Sequence, residues 1–204
     1  MFDESLNNIE KATDLVGKKE GESPQDMDRR DLLKYGLLGI LGSVTPLLPG
    51  RDAMAATGGQ WKLDLHHAHT GEAFDGVYRV GDRYLPEAFE RLNYMMRDFR
   101  TGEIFPMDPR VLDLISMVQA KTGHKKMEVL SGYRSPKTNA MLRRVGTGVA
   151  KNSYHMYGQA IDIRTWGYSS NRLRNLARSF RVGGVGYYPK SNFVHVDTGK
   201  IRSW

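Results

Sequence analysis

Two short segments near the end of the chain alternate apolar and polar residues with a period of two. They are residues 159–164 (QAIDIR) and 193–197 (FVHVD). Because successive side chains of a β-strand point to opposite faces, Asp162 lies on the face opposite its two flanking isoleucines, and His195 and Asp197 share one face. A carboxylate in a buried strand persists only when it is paired or binds a metal. The two segments therefore predict a sheet with a polar site on one face.

Helical periodicity occurs in four other segments. The predicted helices cover residues 86–100, 109–123, 136–144 and 172–181. Asp108 and Ser135 stand where helix N-caps are expected, and residues 169–171 (SSN) can cap the last helix. Further short strands are predicted over residues 61–84, 127–130 and 185–188. Helices cluster early and strands late, so we expect an α+β fold with an antiparallel β-sheet core and flanking helices.

The first 55 residues have the features of an export signal. After a polar, charged start comes the pair Arg29-Arg30, then an apolar run over 35–48 that is too short to span a bilayer, then a small-x-small triplet at 53–55. We expect residues 1–55 to be a twin-arginine signal peptide with a polar N-terminal extension. Residues 56–204 would form a single domain, exported by the twin-arginine machinery to the periplasm or cell wall. The alternative is an apolar helix, buried or anchoring, after a polar arm.

The predicted mature segment is strongly basic. The chain holds 30 Lys and Arg against 23 Asp and Glu, and residues 1–55 take seven and ten of these, which leaves 23 and 13 beyond. Outside the cytoplasm such a charge favours nucleic acid, anionic lipid or the anionic cell-wall polymer. No basic stripe with interleaved aromatic residues and no zinc-finger spacing is present, so we expect no nucleic-acid partner. Nothing in the sequence sets the oligomeric state.

A candidate metal site combines two imidazoles and one carboxylate. The chain has no cysteine, so any metal must be held by His, Asp or Glu. Gly158 permits a bend that would bring His155 and Asp162 into one cavity, and His195 would join them from the last strand. Two histidines and one carboxylate form a common catalytic zinc set that leaves a fourth position for water.

The same residues also allow a structural interpretation. His155 would then hydrogen-bond locally, and Asp162 would pair with Arg134 or Arg164. A second histidine tract, residues 66–69 (HHAH), is also present. We interpret it as exposed imidazoles on a strand edge rather than as a metal site.

Four motifs occur in order in the second half of the chain. They are 131–135 (SGYRS), 153–162 (SYHMYGQAID), 183–189 (GGVGYYP) and 193–199 (FVHVDTG), with Trp204 closing the chain. From about Leu63 onward the sequence resembles the zinc D-Ala-D-Ala metallopeptidases of peptidoglycan, most of all the murein endopeptidase K branch. The resemblance implies a hedgehog/D-Ala-D-Ala-peptidase-like fold, a Zn²⁺ cofactor and hydrolysis of amide bonds in stem-peptide cross-links during cell-wall growth or remodelling.

The resemblance also implies residue roles. It makes three residues zinc ligands, namely His155, Asp162 and His195. It places Arg134 near the metal, where it would steady a developing oxyanion or a substrate carboxylate, and the alternative is a structural salt bridge to Asp162 or Asp197. Ser153 would support the turn that carries the first ligand.

One position departs from the superfamily pattern. Related enzymes carry a glutamate as general base three residues before the last ligand, where this chain has Asn192. Either Asp197 or a water relay would then take the proton, and the rival role for Asp197 is to orient a ligand imidazole. The missing glutamate motivates two alternatives to an enzyme: a non-catalytic peptidoglycan-binding protein on the same metal-binding fold, and a structural metal-binding protein.

Overall fold

The computed structural model describes residues 59–123, 125–146 and 148–204. The predicted twin-arginine signal, residues 1–55, lies outside the described residues and stays a prediction. Within the described ranges, no helix combines the length and apolarity needed to cross a membrane.

The described residues form one mixed sheet with helices packed on it. The strands are β1 (Gln60–His67), β2 (Ala73–Val80), β3 (Arg83–Tyr84), β4 (Met127–Ser131), β5 (Ala160–Thr165), β6 (Gly184–Tyr188), β7 (Phe193–Asp197) and β8 (Arg202–Ser203). The α-helices are α1 (Pro86–Met95), α2 (Pro109–Lys121), α3 (Pro136–Val145) and α4 (Ser170–Ser179), and a 3₁₀ turn spans Tyr154–Tyr157.

The strand order is β3-β2-β1-β4-β5-β7-β6-β8. The expected α+β class is confirmed, but the expectation of an antiparallel sheet is only partly right, because β1 pairs with β4 in parallel and so does β6 with β8. Parallel neighbours need a long connection between them. Here the chain from β1 to β4 includes the β2–β3 segment and two helices, which return it to the end of the sheet where β1 began.

Helix starts match their capping residues. The side chains of Asp108, Ser135 and Ser169 each accept a hydrogen bond from a backbone N–H in the first turn of the helix that follows. Such a cap stabilises a helix by about 1 kcal/mol. The first helix ends at Met95, five residues before the predicted end. The chain turns there because the C=O of Met96 accepts a hydrogen bond from Tyr133 N–H at 2.7 Å, which ties the end of α1 to the end of β4.

The alternation in the last strands sorts side chains between the two faces as predicted. Ile161, Ile163, Val194 and Val196 belong to the hydrophobic core. Asp162 and His195 are direct cross-strand partners in the β5–β7 pair. Because their neighbours along each strand face the core, these two polar side chains lie together on the opposite face. The fold thus places a carboxylate beside an imidazole in the middle of the sheet.

Candidate metal centre

Three buried side chains converge on the polar face of the sheet. His155 comes from the 3₁₀ turn, Asp162 from β5 and His195 from β7. Asp162 Oδ1 lies 2.8 Å from His195 Nδ1 and 3.2 Å from His155 Nε2, and the two ring nitrogens are 3.2 Å apart. Ligand atoms about 2.0–2.1 Å from a tetrahedral zinc ion are roughly 3.3 Å from one another. The triangle therefore has nearly the size that three zinc ligands require.

Hydrogen bonds on the far side of each ring determine where its proton lies. His155 Nδ1 is 2.7 Å from the C=O of Gly132, and His195 Nε2 is 3.0 Å from Asp197 Oδ2. A carbonyl and a carboxylate only accept, so both of these ring nitrogens carry the hydrogen. His155 Nε2 and His195 Nδ1 are then left with lone pairs that face the lone pairs of Asp162 Oδ1. Three acceptors at such distances need a cation between them, and outer hydrogen bonds of this kind are typical of metal-binding histidines.

The electrostatics of the cluster agree with a site for positive charge. Burial opposes ionisation of Asp162, yet the adjacent His155 and His195 hold the pKa of its carboxyl well below the usual value. Burial lowers the pKa of His155. Burial also opposes a charge on His195, but the hydrogen bonds that its ring donates to Asp162 and Asp197 raise its pKa to about 9. The negative charge held on Asp162 and the raised pKa of His195 both favour a positive charge among the three side chains.

Asp197 is fully buried and all of its acceptor positions are used. Its Oδ1 accepts from the N–H groups of Gly184 and Gly199 at 3.0 and 2.8 Å. The guanidinium of Arg202 binds both oxygens, at 3.0 Å from Oδ1 and 2.7 Å from Oδ2, and His195 takes the remaining place on Oδ2. Despite burial, the pKa of Asp197 is thus held well below its usual value, first by His195 and then by Arg202.

Sequence reasoning missed Arg202. The residue lies five positions after Asp197, but the contact depends on β8, in which Arg202 pairs in parallel with Gly184 of β6. A two-residue strand leaves no periodic signal in a sequence. Only a basic residue close behind the last strand could have suggested this partner for Asp197.

Arg134 lies at the edge of the cluster. Its Nη2 is 3.6 Å from Asp162 Oδ2, whereas Arg164, the other candidate partner, pairs with Glu128. The Nε of Arg134 is buried and has no hydrogen-bond partner among the described residues. Burial lowers the pKa of this guanidinium, although the charge of Asp162 opposes the shift. A buried donor without a partner beside three convergent acceptors is placed to bind an oxygen atom of a ligand.

Two other residues named from the sequence occupy turns. Ser153 is buried and precedes the 3₁₀ turn; its C=O accepts from Met156 N–H at 3.0 Å, and its hydroxyl makes no capping hydrogen bond. Asn192 stands in the exposed turn between β6 and β7 with φ of 51°. Asparagine tolerates this left-handed conformation better than most residues.

The interpretation of the histidine tract is wrong for His67. Strand β1 lies between β2 and β4, not at an edge, and His67 is fully buried. Its Nδ1 accepts from the backbone N–H groups of His69 and Thr70, at 3.2 and 3.4 Å. Throughout the described part of the chain, the one group of three or more potential metal ligands is His155, Asp162 and His195.

Comparison with known proteins places the chain in a family of peptidases. A family model described as "Peptidoglycan L,D-endopeptidase MepK", within the M15 peptidases, matches residues 55–204, and the chain belongs to this family. The family resemblance stated from the motifs is thereby confirmed.

Curated relatives extend the likeness over most of the chain. The probable peptidoglycan L,D-endopeptidase MepK of Haemophilus influenzae is 41% identical over 181 residues, which are 88% of this chain and 96% of the relative. The peptidoglycan L,D-endopeptidase MepK of Escherichia coli strain K12 is 40% identical over 180 residues, 88% of this chain and 98% of the relative. A zinc D-Ala-D-Ala carboxypeptidase of Streptomyces albus G is 27% identical over 142 residues, 64% of this chain and 54% of the relative.

Proposed function

We propose that this chain is a zinc-dependent peptidoglycan endopeptidase that hydrolyses an amide bond in stem-peptide cross-links. The observation that carries the proposal is the buried triangle of His155, Asp162 and His195, in which three lone pairs face one another at 2.8–3.2 Å. Membership in the peptidase family supplies the reaction class. Each ligand imidazole is already held in the tautomer that a metal needs, so the site requires little reorganisation to bind an ion.

A zinc ion held by these residues supplies a Lewis acid that acidifies water and polarises a carbonyl group. The protein contributes the surroundings in which that chemistry takes place. Gly132 and Asp197 fix the two histidine rings through their outer nitrogens. The unpartnered Nε of Arg134 supplies a fixed positive charge and a donor for the oxygen on which negative charge develops during amide hydrolysis.

Of the two roles considered for Asp197, the contacts support orientation of His195. A general base must reach the proton that it removes. The oxygens of Asp197 are occupied by five hydrogen bonds and the side chain has no exposed surface. We therefore assign proton removal to a water relay, and we assign to Asp197 the task of keeping the proton of His195 on Nε2.

The proposed bond is of the L,D type. The two relatives at 40–41% identity carry that name and are matched almost end to end, whereas the D-Ala-D-Ala carboxypeptidase is matched over about half its length. The proposed place of action is the periplasm or cell wall, reached by the twin-arginine route. The Arg29-Arg30 pair and the basic segment 56–204 support this placement, since the cell-wall polymer is anionic.

The second candidate is a protein that binds peptidoglycan without cutting it. It is favoured by Asn192 at the position of the expected glutamate and by the enclosure of Asp197. Turnover separates the two candidates, because only an enzyme releases monomers from cross-linked dimers.

The test uses the full chain loaded with zinc and two purified muropeptide dimers, one cross-linked through an L,D bond and one through a D,D bond. We expect the L,D dimer to be converted to monomers and the D,D dimer to persist, with products identified by chromatography and mass. His155→Ala should abolish cleavage. His69→Ala is the matched control, since His69 stacks on Phe99 at 4.2 Å outside the cluster.

Three results would contradict parts of the proposal. If both dimers persist while one zinc per chain is measured, the chain is not an endopeptidase for these cross-links. If only the D,D dimer is cleaved, the assignment of the bond is wrong. If His155→Ala cleaves as fast as the unaltered chain, the triangle is not the active site.

A further inference from the structure

A basic cavity lies between the loop that follows α1 and one face of α3. Its volume is about 540 Å³, within the range of small-molecule sites. The lining residues are Arg100, Thr101, Glu103, Lys137, Thr138, Met141 and Arg144. Positions 137, 141 and 144 are three and four residues apart and therefore project from one side of the helix.

The cavity carries an excess of positive charge that no ion pair among the described residues neutralises. Arg100, Lys137 and Arg144 make no ion pair with any carboxylate among the described residues, and Glu103 is the one acid in the lining. Three convergent cations facing one acid leave a net charge of about +2, which favours an anionic ligand.

Buried hydrogen bonds hold the two walls of the cavity together. The carboxylate of Asp98, which is 1% exposed, accepts from the backbone N–H of Arg100 and from that of Ser135, both at 2.9 Å. The guanidinium of Arg100 stacks over the ring of Phe99 at 4.2 Å. The loop is thus tied to the first residue before α3, and the cavity is present before any ligand arrives.

Arg134 lies two residues before α3, whose residues line the cavity, and also contacts the candidate metal centre. Lys137 follows Arg134 by three residues, so their Cα atoms are at most about 11 Å apart. Arg134 in turn lies 3.6 Å from Asp162. An extended peptide advances about 3.3–3.6 Å per residue. A peptide whose scissile bond lies at the metal centre can therefore place a group two to four residues away in the cavity.

We propose that this cavity binds a free carboxylate of the substrate peptide and so selects which stem peptides are cleaved. The inference rests on the proposed function, because it takes the ligand to be part of that substrate. A stem peptide with a free C-terminus offers a terminal carboxylate, which lysine and arginine bind through charge-assisted hydrogen bonds.

The test measures binding and turnover separately. Calorimetry with the zinc-loaded full chain gives the Kd for a stem tetrapeptide with free carboxylates and for the same peptide with its carboxylates amidated. We expect Lys137→Gln and Arg144→Gln each to raise the Kd for the free peptide about threefold, and the double variant about tenfold. Glu103→Gln should lower it about twofold.

Arg143→Gln is the matched control, because Arg143 precedes Arg144 on the same helix and is equally exposed but does not line the cavity. Its Kd should equal that of the unaltered chain. The amidated peptide should bind the unaltered chain about tenfold more weakly, and the double variant should show no further loss. In the cleavage assay, Lys137→Gln and Arg144→Gln should raise KM and leave kcat unchanged.

Several results would overturn the inference. Equal Kd values for Arg144→Gln and Arg143→Gln, or for free and amidated peptide, would show that the cavity does not read a carboxylate. Competition by millimolar inorganic phosphate but not by acetate would assign the cavity to a phosphate group instead. If the variants change the Kd as expected but no dimer is cleaved, the proposed function is wrong. If dimers are cleaved but the Kd is the same for all variants, only this inference is wrong.

Discussion

Replacing Asp197 by asparagine separates its two possible roles, because the change keeps the size of the side chain and removes its charge. The backbone N–H groups of Gly184 and Gly199 both point at Oδ1, so the amide oxygen of the variant will take that place. The new NH₂ group then faces the Nε2–H of His195 and the Nη2 of Arg202, which lie 3.0 and 2.7 Å from Oδ2 in the unaltered protein. At both contacts two N–H donors would then face each other, so neither hydrogen bond could form.

The substitution should weaken zinc binding and lower the unfolding free energy. His195 can relieve the conflict by moving its proton to Nδ1, but that nitrogen is the one that faces Asp162 and the metal position. Loss of an outer partner of this kind weakens metal binding about 10- to 100-fold. Removing one member of a buried ion pair costs about 3–5 kcal/mol, and partial exposure of Arg202 reduces this to about 3 kcal/mol of unfolding free energy. For a chain of this size the Tm should fall by roughly 6–12 °C.

The assay is a zinc titration against a competing chelator, with thermal unfolding and turnover at saturating zinc on the same samples. Asp82→Asn is the control, because Asp82 also pairs with an arginine, Arg79 at 3.1 Å, but its side chain is 86% exposed. It should leave zinc affinity and Tm unchanged. The reasoning is refuted if Asp197→Asn binds zinc and unfolds like the unaltered protein while kcat at saturating zinc falls 100-fold or more. That result would make Asp197 the proton acceptor.

Local pattern was sufficient to predict most of the elements and the face on which Asp162 and His195 lie. The alternation of apolar and polar residues is enough to place Asp162 and His195 on the polar faces of their strands, because it does not depend on the rest of the fold. The caps at Asp108 and Ser135 likewise act on the turn that follows them. Antiparallel pairing of β5 and β7 then makes the two polar residues direct neighbours.

Features that depend on distant pairing were not predictable in this way. The order of the sheet buries His67 by placing β1 between two other strands, although the tract itself is polar. The acceptor for His155 is the backbone C=O of Gly132, and a carbonyl is present at every residue, so no side-chain pattern identifies it. Gly132 itself is required because an added Cβ would lie 2.7 Å from Met96. Only the packing of α1 against the end of β4 reveals these contacts.

Two further predictions concern stability. Gly158→Ala should lower the unfolding free energy by at least about 2 kcal/mol in urea titration, because residue 158 has φ of +64° and a Cβ would overlap the C=O of Pro106; Gly76→Ala, with its nearest contact at 3.8 Å, should be tolerated. The second concerns pH. Burial and the neighbouring His69 lower the pKa of His67 to about 4. As the pH falls from 6.5 to 4, His67 therefore takes up a proton in the unfolded chain but stays neutral in the folded chain. The unfolding free energy decreases over this range by at most about 3 kcal/mol. We expect the unfolding free energy of His67→Gln, measured by urea unfolding at each pH, to decrease by up to about 3 kcal/mol less than that of the unaltered chain between pH 7 and 4. Equal decreases in the two chains would show that the pKa of His67 is not lowered by folding.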